Sequence, residues 1–155
     1  MYRESLDELD LRILEILREN ARISVRDIAR LLKKAPSTVA ERIKKLEKKG
    51  FITGYTALID SGKLGYRLNA LTLLQVEGGY IEEVEKLLAS EPNVRAVYDI
   101  TGEYDIAIVS TFRDTEELDK FIKRILKNPH IKRSVTNVIL RIVKEKPSIP
   151  ISHEA

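Results

Sequence analysis

The sequence predicts an α+β chain made of two unlike halves, an all-helical N-terminal unit and a βαββαβ C-terminal domain. Over residues 6–50, apolar side chains recur every three or four positions, the spacing of amphipathic helices. From residue 68 onward, short apolar runs alternate with two helical patterns, which is typical of strands and helices in one mixed domain. A length of 155 residues is enough for two small domains.

Three short helices are predicted in the first half. The first covers residues 6–18 on one apolar stripe. Ser24 has the character of an N-cap and opens a second helix that runs through Leu32. Pro36 suits the first turn of a third helix, and Gly50 is placed to end it. This succession of helices is that of a helix-turn-helix unit.

The second half predicts a ferredoxin-like sandwich, because its elements follow the order β-α-β-β-α-β. Two of its strands are apolar on successive residues, which is typical of strands covered on both faces. Two helices can cover only one face of four strands, so we expect a second copy of the chain to cover the other. The predicted elements are strand 68–76, helix 81–88, strand 94–100, strand 106–112, helix 116–126 and strand 135–143.

Positive charge is concentrated in the first half. Residues 1–54 hold 13 Lys or Arg against nine Asp or Glu, and residues 33–49 hold seven against two. A cationic cluster on the third helix of such a unit predicts binding to double-stranded DNA, with base edges read in the major groove. The alternative is a plain three-helix bundle with a solvated charged surface. The predicted DNA-binding residues are Ser24, Ser37, Thr38, Glu41, Arg42, Lys44, Lys45 and Lys48.

Several segments resemble the Lrp/AsnC family, the feast/famine regulators. They are Leu6-Asp7-Glu8-Leu9-Asp10, Asn20-Ala21-Arg22-Ile23-Ser24, Pro36-Ser37-Thr38-Val39 and Thr101-Gly102-Glu103-Tyr104-Asp105. The resemblance spans nearly the whole chain. It implies a winged helix-turn-helix, a hinge, and a ferredoxin-like sensing domain that dimerises, builds multiples of dimers and takes amino acids as effectors. Lys33-Lys34 departs from the family by standing where a glycine is usual.

The turn at residues 101–105 offers groups that an amino acid needs. Gly102 lets backbone N–H groups approach closely, Tyr104 supplies a hydroxyl, and Asp105 can accept from an ammonium group. The resemblance implies that Tyr98 and Thr136 complete a ligand-binding pocket between subunits. The alternative is a structural β-turn in which Asp105 bonds to nearby backbone.

Composition argues against several other classes of protein. The chain has no cysteine, which suits a reducing cytosol and excludes thiolate metal sites, and it contains no apolar run of about 18 residues. Neither His130 nor His153 has a nucleophile beside it, so we predict no enzyme activity, no metal and no cofactor other than an amino-acid effector.

The sequence therefore predicts a cytoplasmic, amino-acid-responsive transcription regulator that works as a homodimer or a multiple of dimers and does not engage membranes. Two alternatives remain open, a ligand-blind architectural DNA-binding protein and an amino-acid-binding regulatory subunit of an enzyme. The predicted boundaries are residues 1–53 for the winged helix-turn-helix, 54–66 for a hinge strand or linker, 67–146 for the sensing and oligomerisation domain and 147–155 for a tail.

Overall fold

A computed structural model describes residues 6–146 and 149–151. The chain divides into two compact units, each with its own apolar core. The first runs to Leu58 and takes in the C-terminal segment from Glu145, and the second spans Ile59–Lys144. The predicted tail began two residues later, at residue 147, and most of its residues lie outside those described.

The first unit is a bundle of three helices, α1 (Glu8–Glu19), α2 (Val25–Leu32) and α3 (Pro36–Lys48). Its apolar stripes meet in one core of fully buried side chains. The predicted first helix began at Leu6, but Asp7 is its N-cap, because its side chain accepts the backbone N–H of Asp10. The core residues are Ile13, Ile28, Ala29, Val39 and Leu46.

The resemblance implies a wing after α3, and residues 54–66 are predicted to be a hinge strand or linker. Residues 51–60 form no hydrogen-bonded strand within the described chain, and a turn follows at residues 61–65. Within one copy of the chain, residues 54–66 therefore have no strand partner. The apolar side chains of Leu58 and Ile59 are largely exposed there.

The second unit is a four-stranded antiparallel sheet with two helices, as its sequence predicts. The elements are β1 (Leu68–Val76), a single 3₁₀ turn, α4 (Ile81–Ala89), β2 (Val94–Asp99), β3 (Ile106–Phe112), α5 (Thr115–Ile125) and β4 (Ile131–Ile139). The strands lie in the order β2-β3-β1-β4, so β3 and β1 form the central pair and β2 and β4 are the edges.

The last strand lies four residues earlier than expected, at both ends. β1 begins at Leu68, and Asn69 pairs with Ile139, so β1 ends opposite Leu140 and offers no partner to the residues after it. The apolar run that follows, which favoured a longer strand, is exposed instead, with Leu140 almost fully so.

The two faces of the sheet differ in burial. Alternate residues such as Leu74 and Ile108 are fully buried in the core shared with α4 and α5. Residues of the opposite face, here called the outer face, are half-buried on the central strands, apart from the buried Ala107, although α4 and α5 both pack on the other side. Its apolar members are Leu71, Leu73, Ala96, Tyr98, Ala107, Val109, Val135 and Ile139.

Candidate nucleic-acid interface and ligand site

Helix α3 presents a polar, basic surface because its apolar positions are few and lie on one side. Pro36 occupies its first turn, where the missing N–H costs no helical hydrogen bond. Val39 and Leu46 are buried and Ile43 is half-buried. Of the predicted DNA-binding residues on this helix, Ser37, Glu41, Lys44, Lys45 and Lys48 are exposed, and Thr38 and Arg42 are half-buried.

The lysines of α3 are available to an external anion. Within the part of the chain that the structure describes, no carboxylate lies within ion-pair distance of Lys44, Lys45 or Lys48. Lys45 and Lys48 lie in the last turn, where the negative end of the helix dipole stabilises cations. A phosphate backbone along this helix would meet unneutralised ammonium groups.

Arg42 is engaged inside the domain. Its Nη1 lies 2.5 Å from Oδ2 of Asp7 and 3.2 Å from both carboxylate oxygens of Asp10. These hydrogen bonds, to Asp7 first and then to Asp10, raise the pKa of Arg42 above its ordinary value. The backbone N–H of Asp10, assisted by the Arg42 guanidinium, lowers the pKa of Asp7. Sequence reasoning missed this contact, since no local pattern links residues 32 positions apart.

Ser24 caps α2 as its sequence context predicts. Its Oγ accepts the backbone N–H of Asp27 at 3.1 Å and donates to Oδ2 of the same residue at 2.6 Å. The hydroxyl is therefore used locally, although the residue as a whole stays exposed.

The turn between α2 and α3 is shaped by Lys33. This residue caps α2 in the left-handed conformation, with φ 52° and ψ 46°, and among the described residues it is the one non-glycine with positive φ. A glycine adopts this geometry without steric cost. Lys33, which stands where the resemblance predicts a glycine, therefore occupies a position whose backbone conformation favours glycine.

Tyr55 fastens the segment after α3 to that helix. Its hydroxyl donates to Oε1 of Glu47 at 2.8 Å. Partial burial, followed by the neighbouring carboxylate, raises the pKa of Tyr55 to about 12. No sequence pattern predicts this pair beyond the aromatic character of Tyr55.

In the second unit, the turn at residues 101–105 joins β2 and β3 and is tied to β1 by Asp105. Gly102 has φ 121° and open space where a Cβ would stand. Asp105 donates its backbone N–H to the carbonyl of Leu74, and its Oδ2 accepts the N–H of Val76 at 2.7 Å. The register between β1 and β4 shifts just before Val76. The Asp105 carboxylate therefore accepts a backbone N–H at a point where the pairing of the sheet is irregular.

Tyr104 lies beside an arginine at the same end of the sheet. The Arg133 guanidinium carbon lies 5.8 Å from the centre of the Tyr104 ring. Arg133 also donates to Oε1 of Glu103 at 2.9 Å. A cation and a phenol thus flank the predicted sensing turn, and the sequence analysis did not single out the cation.

Tyr98 and Thr136 do not come together within one copy of the chain. They lie on β2 and β4, the opposite edges of the sheet. Tyr98 pairs with Ala107 on the outer face, whereas Thr136 pairs with Thr72 on the helix-covered face and shares a 3.0 Å hydroxyl contact with it. A pocket containing both would need two copies.

The described residues hold no group of three or more His, Cys, Asp or Glu placed to bind a metal ion. No helix among them is long and apolar enough to cross a membrane.

Comparison with known proteins decides the family. A family model of winged helix-turn-helix DNA-binding domains matches residues 6–53, and the Lrp/AsnC ligand-binding domain matches residues 69–149. The chain belongs to the Lrp/AsnC family. It is a DNA-binding transcription regulator with a ligand-binding domain and not an enzyme, which sets aside the alternative of an enzyme's regulatory subunit.

Individual relatives agree over nearly full length. An HTH-type transcriptional regulator of Pyrococcus furiosus is 42% identical over 90% of this chain and 95% of its own. The structure of E. coli AsnC has a TM-score of 0.86 at 26% identity, over 94% of this chain and 99% of that one. A Neisseria meningitidis regulator, solved as a complex with L-Met, has a TM-score of 0.91 at 24% identity, over 96% and 98%.

Proposed function

We propose that this Lrp/AsnC regulator reads a specific DNA site with the N-terminal half of α3. Ser37, Thr38 and Glu41 lie there and would face base edges in the major groove. Lys44, Lys45 and Lys48 would contact phosphates, and Ser24 marks the start of α2, where free N–H groups favour an anion. The observation that carries the proposal is the unpaired lysine set on the exposed side of α3.

Single lysine variants test this assignment through the salt dependence of binding. Lys45→Ala should weaken binding to the cognate site and to random DNA alike, and it should flatten the slope of log affinity against log salt by about one. Lys86→Ala on α4 is the matched control, because Lys86 is also exposed but lies in the other unit. An unchanged slope for Lys44, Lys45 and Lys48 variants would remove α3 from the interface.

We propose further that two copies pair through the outer face of the sheet and that larger assemblies are multiples of this dimer. The support is that Leu71, Leu73 and Val109 form an apolar surface that α4 and α5 leave uncovered. A two-fold pair would present two α3 helices to half-sites about one DNA turn apart.

The ligand is proposed to be an amino acid held at the turn of residues 101–105, between copies. Three lines support this: the match to the family's ligand-binding domain, the L-Met bound to the Neisseria relative, and the donors and acceptors at the turn. Oδ2 of Asp105 is occupied by Val76, so an ammonium group would use the other oxygen, Oδ1. The cytoplasm, where free amino acids are abundant, is the proposed location.

A thermal-shift screen of the twenty amino acids tests the sensing function. A ligand that binds only the folded state must raise the melting temperature, by an amount that grows with its concentration. If none of the amino acids raises the melting temperature at millimolar concentration, the ligand-blind architectural alternative stands. The affinity of the protein for DNA should then grow with the length of the DNA.

A further inference from the structure

Asp10 is a buried carboxylate at the start of α1. Its side chain is 3% exposed. Oδ2 accepts the backbone N–H of Asp7, and both oxygens face Nη1 of Arg42. In the described residues, Arg42 is the cation within ion-pair distance of Asp10. A buried charge without a partner is strongly unfavourable, so Asp10 requires the guanidinium to stay.

Arg42 carries one positive charge and lies beside two carboxylates. Asp7, half-exposed at the N-cap, and Asp10 together present two carboxylates to one guanidinium. Leaving this site for DNA would abandon a buried carboxylate. The three side chains, joined through Nη1 of Arg42, are here called the Arg42 clamp.

The Arg42 clamp joins two helices at points that matter for DNA reading. Asp7 and Asp10 are the N-cap and third residue of α1, linked by a reciprocal capping box. Arg42 lies midway along α3, one residue after Glu41 and four after Thr38. The clamp therefore fixes the rotation of α3 about its own axis, and with it the direction in which Thr38 and Glu41 point.

We propose that Arg42 is a positioning residue of the recognition helix and not a reader of bases or phosphates. This inference rests on the proposed role of α3. Its failure is distinguishable from the failure of that role, because the lysine variants described above test α3 without touching Arg42.

Three readouts on Arg42→Gln separate the possible roles, measured at a temperature where melting curves show the variant fully folded. A positioning residue predicts that affinity for cognate DNA falls by about tenfold and more than affinity for random DNA, because Thr38 and Glu41 lose their direction, with an unchanged salt slope. It also predicts a similar loss in Asp10→Asn, a change at a buried residue of the same clamp. A loss of cognate affinity in Arg42→Gln with none in Asp10→Asn would mean base reading. A slope lower by about one would mean a phosphate contact. Wild-type affinity in the folded variant would mean a role in stability alone. Each of these last three results overturns the proposal.

A double-variant cycle keeps the test decisive if Arg42→Gln folds poorly. Removing the cation strands the Asp10 carboxylate, so Asp10→Asn added to Arg42→Gln should restore part of the lost melting temperature. Arg42→Lys, which keeps the charge but loses the fork geometry, should bind DNA better than Arg42→Gln. Arg30→Gln is the control, since its ion pair with Asp27 is exposed. If the changes in melting temperature caused by Asp10→Asn and Arg42→Gln simply add in the double variant, the two side chains are not coupled and the proposal is refuted.

Discussion

Lys33 carries a conformational cost in its backbone. Its left-handed φ brings a Cβ close to the following carbonyl, which costs a non-glycine residue about 1–2 kcal/mol. Glycine removes that cost but loses more chain entropy on folding, by roughly 0.5–1 kcal/mol relative to Ala. We expect Lys33→Gly to stabilise the first unit by about 0.5–1 kcal/mol net. Urea or thermal melts measure this.

Lys34→Gly provides the comparison for that variant. Lys34 has no positive φ, so glycine there should be neutral or destabilising. Equal stabilisation by both substitutions would point to removal of positive charge as the cause and would refute the backbone explanation.

Tyr55 should titrate about two pH units above an ordinary tyrosine. Its pKa is raised to about 12, first by burial and then by Glu47, so folding favours the protonated phenol. The stability that this group contributes is complete below the unfolded pKa near 10 and is lost as the pH rises toward 12. NMR of ring-labelled tyrosine measures the titration directly.

Glu47→Gln isolates the part of the Tyr55 shift that comes from the carboxylate. We expect the Tyr55 pKa to move back toward its ordinary value and to remain raised in part, because burial is the larger cause. A Tyr55 pKa unaffected by this change would show that the hydroxyl does not meet Glu47 in solution.

At the scale of elements, the sequence predicted what depends on local pattern. Apolar spacing located α1–α3, and Ser24 and Gly50 marked helix ends that the structure confirms. It misplaced β4, since the end of an edge strand is set by its neighbour's length and not by its own hydrophobicity. It also missed the Arg42 clamp and the Asp105–Val76 bond, which join residues far apart in sequence.

The bond from Val76 to Asp105 makes two substitutions informative. Asp105→Ala leaves a half-buried amide unpaired and should cost about 1–3 kcal/mol of stability. Asp105→Asn keeps an oxygen that can accept from Val76, so its melting temperature should stay within a few degrees of the wild type.

Ligand response separates the sensing role of Asp105 from its structural one. Asn cannot offer a charge-assisted bond to an ammonium group, so the amino-acid-induced thermal shift should vanish in Asp105→Asn. A full shift in this variant would leave Asp105 as a structural residue only.

At the scale of the whole molecule, the outer face is the proposed dimer interface. Val109→Lys places an ammonium group on that face, where a partner sheet would bury it without a counter-charge. We expect the dimer to dissociate at micromolar concentration in light scattering, with circular dichroism unchanged. Leu87→Lys on the exposed side of α4 is the control and should leave the mass unaltered. A dimeric Val109→Lys protein would place the interface elsewhere.

The Arg42 clamp also bears on how such a regulator can acquire new targets. The residues that hold α3 in place are buried or ion-paired, whereas Ser37 and Glu41 stand exposed on the same helix. Substitution at those exposed positions disturbs no core contact, so under their proposed base-reading role the preferred operator would drift through single mutations while the scaffold stays intact. For a protein engineer, the same separation marks out a short stretch of α3 that can be randomised in a library without sacrificing foldability.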